Sequence, residues 1–347
     1  MEITVAEGSG IELLLFLFRV NNHEKMAHND GESYEQLSEL VFNARLSISR
    51  KSLEWLGKFF SWEGFLGLRI VPYLFMDGSP SPSDLVAIIR KTSPERLLSM
   101  FLCDDFESPG EPTDVFVKSL EEDERRALGY VSSISNLPSS DRYEALEMLQ
   151  HQAETAGSFI ELLEYARSKL DSFQGFEEII HSSANLVNEN LNSLGSSFIP
   201  FLLGIETKSL SVEKIRLYIS ASLGGSVITI DVPERNAIIS LAGVDRISRR
   251  SLLFETGSGA SLAGAMAERK SLDLLHLLLQ SRQSVSSILE LCDLHPHEAI
   301  DILAALSRQG LVIPEIQDKN LVFRTEEGIV DDALEEIRSQ IIGKAGE

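Results

Sequence analysis

Apolar residues recur at spacings of three and four along most of the chain, and strict alternation is confined to a few short stretches. Residues 1–5 alternate as Met-Glu-Ile-Thr-Val, and Gly8-Ser9-Gly10 separates them from an apolar run at 11–18, so a strand is expected before a helix. From about Glu35 to Ile205 the pattern is almost wholly helical. Leu37, Leu40 and Val41 share one face, as do Leu53, Leu56 and Phe60. Ser83-Asp84 after Pro80 and Pro82, and Ser93-Pro94-Glu95, mark helix starts, because proline suits the first helical turn. Ser139-Ser140-Asp141 opens the stretch that holds Tyr143, Leu146 and Leu149. Near residue 206 the texture changes. Residues 216–220 and 226–232 are rich in β-branched side chains and flank Gly224-Gly225, which predicts a β-hairpin, and 236–241 supplies a third strand.

Helices return from about Leu262, and residues 266–325 read as one unit. Leu272, Leu275 and Leu279 form the stripe of a first helix ending near Arg282-Gln283. Ser284 can N-cap a second, short helix whose inward face is Val285, Ile288 and Leu289. After the turn Asp293-Leu294-His295-Pro296 comes a third helix with Ala299, Ile300, Leu303 and Leu306 buried, ended by Gly310. Strands at 311–316 and 321–325 flank a turn at 317–320. Three helices with a tight turn before the third, then a hairpin, is the order of a winged helix-turn-helix.

This segment resembles the ArsR-type winged-helix regulators. The resemblance is carried by Lys270-Ser271-Leu272-Asp273-Leu274-Leu275, by Val285-Ser286-Ser287-Ile288-Leu289, and above all by the exit Leu303-Ala304-Ala305-Leu306-Ser307-Arg308-Gln309-Gly310-Leu311-Val312. It covers about 65 of the 347 residues. The opening strand, the Glu12-Leu13-Leu14 helix and the 216–232 hairpin are also similar to the long ArsR-like proteins with a large helical region ahead of the winged helix. The resemblance implies duplex DNA as partner, a homodimer, and a small molecule or protein as effector. The donors available for DNA are Ser287, His295, His297, Arg308, Lys319 and Arg324. The sequence departs from the family on the third helix, where His297, Glu298, Asp301 and Ile302 are expected at the surface in place of a Ser-x-His pair. Two carboxylates toward a phosphate groove oppose binding. The alternative is therefore a protein-interaction scaffold whose acidic winged helix no longer binds DNA.

Composition sharpens that choice. With 31 Lys+Arg against 53 Asp+Glu the formal charge is −22, which argues against a surface coated for polyanions. Residues 266–328 carry six basic and ten acidic side chains, so the reading head shares the acidity in mild form. The 43% hydrophobic content supports a real core. Two cysteines, Cys103 and Cys292, cannot build a disulfide framework, which points to a reducing, cytoplasmic setting. The apolar runs at 11–18 and 198–205 are too short to span a bilayer, so no membrane partner is expected.

The remaining candidates read more plainly. Cys292, His295 and His297 have the residue types of a zinc or copper site, but one cysteine without a second favours a buried thiol and two surface histidines, so no metal or cofactor is assigned. Glu255-Thr256-Gly257-Ser258-Gly259-Ala260-Ser261 lacks the Gly-Lys-Ser/Thr ending of a phosphate loop and reads as a linker. Arg246, Arg249 and Arg250 read as a solvated strand end in preference to an anion site. Residues 55–75 hold seven aromatics (Trp55, Phe59, Phe60, Trp62, Phe65, Tyr73 and Phe75) near Arg45, Arg50, Lys51, Lys58 and Arg69. They are core in the plain reading and a small-molecule pocket in the sharper one. The acidic run Glu121-Glu122-Asp123-Glu124 reads as a solvated helix start. The tail stripe Val330, Leu334, Ile337 and Ile341 suits a partner helix, for a dimer or for packing on the winged helix. No catalytic constellation is present, so an enzyme is not expected. The expected organisation is mainly α, in the α+β class. A helical region spans 1–205, a small β segment and linker 206–261, the winged helix-turn-helix 262–328 and a C-terminal helix 329–347.

Overall fold

A computed structural model describes residues 2–6, 9–27, 30, 33–102, 113–134, 137–171, 175–203, 212–251, 268–317, 320–331 and 333–334. The chain is mainly helical with two small sheets. Cys103, the glycine-serine stretch at 255–261, Lys319 and the tail beyond Leu334 lie outside the described residues, as do the side chains of His297 and Arg308. Two compact units result. The larger takes Thr4–His181 together with Lys214–Val244, and the smaller is built chiefly from Ser182–Glu213 and Asp245–Glu347. The strands at 214–243 thus fold with the long helical region and not as a separate segment.

The larger unit begins with β1 (Glu2–Ala6) and α1 (Ser9–Met26). The apolar run at 11–18 is buried on every side, because α1 is a core helix; among the described residues no helix is long and apolar enough to cross a membrane. There follow α2 (Tyr34–Ser47), α3 (Arg50–Phe59), a 3-10 turn at Leu66–Leu68, α4 (Val71–Phe75), α5 (Pro82–Lys91), α6 (Pro94–Leu102), α7 (Thr113–Glu122), α8 (Glu124–Ser133), α9 (Arg142–Gln150), α10 (Gln152–Leu170) and the start of α11 (Phe176–Leu194), which from Ser182 belongs to the smaller unit, as does α12 (Phe198–Leu203). Side-chain caps start several of these helices, Ser93 accepting from the Arg96 amide at α6 among them. Ser49 accepts from the Ser52 amide, Ser81 and Asp84 form a reciprocal capping box with Pro82 in the first turn, and Asp123 accepts from the Arg126 amide. Phe59, Phe101 and Phe159 pack with ring centroids 4.9 to 5.4 Å apart at the centre of the helical core.

After α12 (Phe198–Leu203) come β2 (Lys214–Ser220), β3 (Val227–Val232) and β4 (Ala237–Gly243). The sheet order is β1-β2-β4-β3, with β2 parallel and β3 antiparallel to β4. The expected β2–β3 hairpin is therefore corrected: the third strand inserts between the two. Every residue of β4, Ala-Ile-Ile-Ser-Leu-Ala-Gly, is buried, so only a central position covers both of its faces. The hairpin that does form joins β3 to β4 through a 3-10 turn at Pro233–Arg235 and Asn236, whose φ of +46° is tolerated by asparagine. The β2–β3 connection folds back on α1 instead. Ser220 Oγ donates to the Glu12 carboxylate at 2.9 Å, and the Ala221 and Ser222 amides donate to the same group.

In the smaller unit, α13 (Val244–Ser251) precedes α14 (Arg269–Gln280), β5 (Gln283–Ser284), α15 (Val285–Cys292), α16 (Pro296–Arg308), β6 (Ile313–Gln317) and β7 (Asn320–Arg324). The second sheet runs β5-β7-β6, the two-residue β5 being an addition to the expected hairpin. Ser284 accepts from the Ser287 amide at the start of α15, Asp293 takes a left-handed turn at φ +50°, and Gly310 at φ +70° ends α16. Ala299, Ile300, Leu303 and Leu306 are buried as expected. Three details differ. The buried stripe of α14 is Ser271, Leu274, Leu275 and Leu278, leaving Leu272 46% and Leu279 40% exposed. Cys292 is only half-buried. Ile302, expected at the surface, is buried, because α16 is covered over a wider arc than one stripe.

Candidate nucleic-acid interface and an aromatic groove

The candidate DNA contacts are scattered in role. His295 is exposed at the N-terminus of α16, its carbonyl accepting from the Ala299 amide at 3.0 Å. Ser287 is half-buried and works locally: its amide donates to Ser284 Oγ, and the two hydroxyls lie 3.1 Å apart. Arg324 is bound by Glu315 and by Glu326, and Glu315 also takes Arg282 at 3.2 Å. Arg282 and Arg324 thus meet carboxylates of the hairpin and its exit.

The acidic residues of α16 are likewise answered. Lys270 of α14 bonds Glu298 and holds its carboxyl below the usual range. Asp301 acts on Arg250 of α13, which is only 6% exposed and stacks 4.6 Å over the Phe201 ring. Burial, with the neighbouring Arg246 adding to it, pushes the Arg250 guanidinium down to about 9, and the Asp301 charge opposes that shift. Arg246 Nε donates to the Leu202 carbonyl at 2.6 Å. The solvated strand end expected at 246–250 is therefore corrected to a helix with two largely buried arginines. Arg246 and Arg250 turn inward, and the sequence signal was the helical spacing of three between the apolar Val244 and Ile247.

Cys292 carries a thiol raised by burial and by Asp273, a protonated state that suits a structural sulfur better than a ligand. Among the described residues no group of three or more His, Cys, Asp or Glu is placed to hold a metal ion.

The aromatic stretch of the larger unit divides in two. Trp55, Phe59, Phe60 and Phe75 enter the core. Phe65 stacks on Phe18 at 5.3 Å and takes a left-handed φ of +51°, a conformation an aromatic residue keeps only where its surroundings fix it. Phe65, Leu68, Arg69, Pro72 and Tyr73 form one wall of an open cavity of about 780 Å³. The opposite wall is residues 228–235, which sequence reasoning had not connected to the aromatics because the pairing spans more than 150 residues. Two charged residues of α1 also escaped notice as functional features of the core: Glu12, described above, within the apolar run, and Arg19 at its end, both buried. Their presence on an otherwise apolar helix was the available signal.

Comparisons with family models, with characterised proteins and with solved structures gave no match to this chain.

Proposed function

We propose that the chain is a non-enzymatic, cytoplasmic transcription regulator whose C-terminal segment is a winged helix-turn-helix for duplex DNA. The observation that carries this reading is the order of elements from α14 to β7 with the sheet order β5-β7-β6, which leaves the N-terminal turn of α16 and His295 facing solvent. In that arrangement α16 enters the major groove by its N-terminus, where the helix dipole favours phosphate. The Lys270–Glu298 bond and the Arg250–Asp301 attraction reduce the repulsion that the bare sequence implied. The larger unit receives a small-molecule or protein effector, and two copies read two half-sites. Selection from a randomised duplex pool at low and moderate salt tests this: enrichment of a sequence with two half-sites is expected, and none at either salt overturns it.

A second reading, a protein-interaction scaffold, is favoured by one observation: Arg324, the described cation of the hairpin, is already held by Glu315 and Glu326. Under it, Leu272, Leu279 and Leu291, all exposed, are contact residues, and their replacement by Ser abolishes partner capture while DNA selection stays blank.

A further inference from the structure

Strand β3 lies at the end of the order β1-β2-β4-β3, so one of its two edges is paired with β4 and the other carries no strand among the described residues. Which backbone groups face that open edge follows from the register. The Gly243 amide donates to the Ser226 carbonyl at 2.9 Å while the Ser226 amide turns to the Leu223 carbonyl, so the one bond across the 226–243 position fixes the phase of the ladder. Two residues on, Ile228, Ile230 and Val232 are in the same phase opposite Leu241, Ile239 and Ala237. The N–H and C=O groups of Val227, Thr229 and Asp231 therefore point off the sheet. Thr229 and Asp231 are also in the lining of the cavity of about 780 Å³ that Phe65, Leu68, Pro72 and Tyr73 complete.

With Arg235 set aside, the carboxylates of this groove outnumber its cation. Arg235 is paired with Asp77 at 2.9 Å, and Arg69, which keeps its charge, is drawn back by its Nε bond to the Gly64 carbonyl at 3.3 Å. Asp231 and Glu234 are exposed and have no ion-pair partner among the described residues.

We propose that this groove binds an extended peptide segment of a partner protein, cationic and apolar in alternation, which adds to β3 as a further strand. Outward amides at every second residue recur about 6.5–7 Å apart, a spacing matched by an extended backbone and not by a compact small molecule. Its apolar side chains pack on Phe65, Leu68, Pro72 and Tyr73, and its Lys or Arg side chains meet Asp231 and Glu234. A second copy of this chain brings a β3 strand whose own charges, Asp231 and Glu234, are both acidic and so supplies no cation to match the groove. The inference goes beyond the DNA reading and does not depend on it.

Labelled eight-residue peptides alternating Val or Leu with Lys, titrated with the full chain and read by fluorescence anisotropy, test the proposal. The Lys peptide is expected to bind with a micromolar Kd, at least about tenfold tighter than its Glu counterpart. Thr229→Pro removes one outward N–H and leaves every bond to β4, since an edge strand accepts proline where its N–H faces solvent. It should weaken binding about tenfold with the circular dichroism spectrum unchanged. Asp231→Lys should reverse the preference between the two peptides. If Thr229→Pro does not fold, Lys peptide N-methylated at alternate amides against the parent chain gives the same answer. Equal binding of methylated and unmethylated peptide, equal binding of Lys and Glu peptides, or no binding of either, overturns the proposal. So does a parent chain that dimerises in sedimentation and loses its dimer on Thr229→Pro.

Discussion

Arg19 and Asp30 form an ion pair in which both side chains are fully excluded from solvent, with Arg19 Nη1 3.1 Å from Asp30 Oδ1. The pair does more than satisfy two charges. Asp30 Oδ1 also accepts from the Gly225 amide at 3.3 Å, and Arg19 Nε donates to His23 Nδ1 at 3.0 Å. At Gly224, with φ +53°, a Cβ would stand 2.1 Å from Asp30 Oδ1, so the connection between β2 and β3 closes over the carboxylate only because glycine is there. Together with Glu12, this pins the same loop to α1 at two points.

Removing one partner of that pair leaves the other as an uncompensated buried charge. Asp30→Asn or Arg19→Met should lower the unfolding free energy by about 3–5 kcal/mol. The double replacement Arg19→Met with Asp30→Leu should lose less than either single change, which urea denaturation measures. Additive losses would contradict the ion-pair account.

Glu12 makes stability depend on pH in a direction opposite to most carboxylates. Burial outweighs the bonds from Ser220, Ala221 and Ser222 and raises its pKa above the ordinary value of 4.5. The folded chain therefore holds this proton more tightly than the unfolded one. The contribution is fully present below about pH 4.5 and is lost as pH rises through the folded value. Glu12→Gln keeps an oxygen for the two amides and has no charge to bury. It should match the parent near pH 4.5 and exceed it at pH 7.5 in chemical denaturation; parallel curves for the two would rule this out.

The corrected faces of the C-terminal helices make a paired test. Ile302→Ala should cost about 2–4 kcal/mol, because its side chain is buried, while Leu272→Ala should stay within about 0.5 kcal/mol. Thermal unfolding of both variants reads the difference. The reverse order would restore the surface position that spacing alone assigned to Ile302.

If α16 reads DNA, Glu298 is the carboxylate whose neutralisation matters most, since Lys270 is its partner. Glu298→Gln should tighten DNA binding about two- to fivefold at low salt, with the gain shrinking by 0.2 M. Lys270→Ala should do the opposite by uncovering Glu298. Anisotropy with the selected duplex, at two salt concentrations, checks both signs.

Much of the fold was legible because helices signal locally. The Ser284 cap, the Pro296 start and the Gly310 stop of the C-terminal helices sit in the sequence and recur in the structure. Strand neighbours do not signal locally. Nothing within 216–241 distinguishes a β2–β3 hairpin from a β4 inserted between them except that β4 lacks polar alternation, a cue that becomes decisive only when its seven buried residues are seen. Spacings of three and four find a helix face but leave its phase open by one residue, which is how Leu272 and Leu279 were placed inward in place of Leu274 and Leu278. The arginines at 246–250 were misread for a third reason: burial of a cation depends on partners such as Phe201 and Asp301 that are distant in sequence.

The interrupted path of the larger unit sets a timetable for its birth. Its central strand lies at Ala237–Gly243, more than 200 residues after α1, and the β2–β3 connection that bonds α1 comes only shortly before it. At about 5–20 residues per second, a nascent chain displays the finished helices α1 to α10 for several seconds before that strand leaves the ribosome. For most of that interval Glu12 is a carboxylate in an apolar helix whose donors, Ser220, Ala221 and Ser222, are still to be synthesised. The first half of this protein is thus a sheltered waiting state, completed by its own late translation, and an obvious client for chaperones that hold emerging chains.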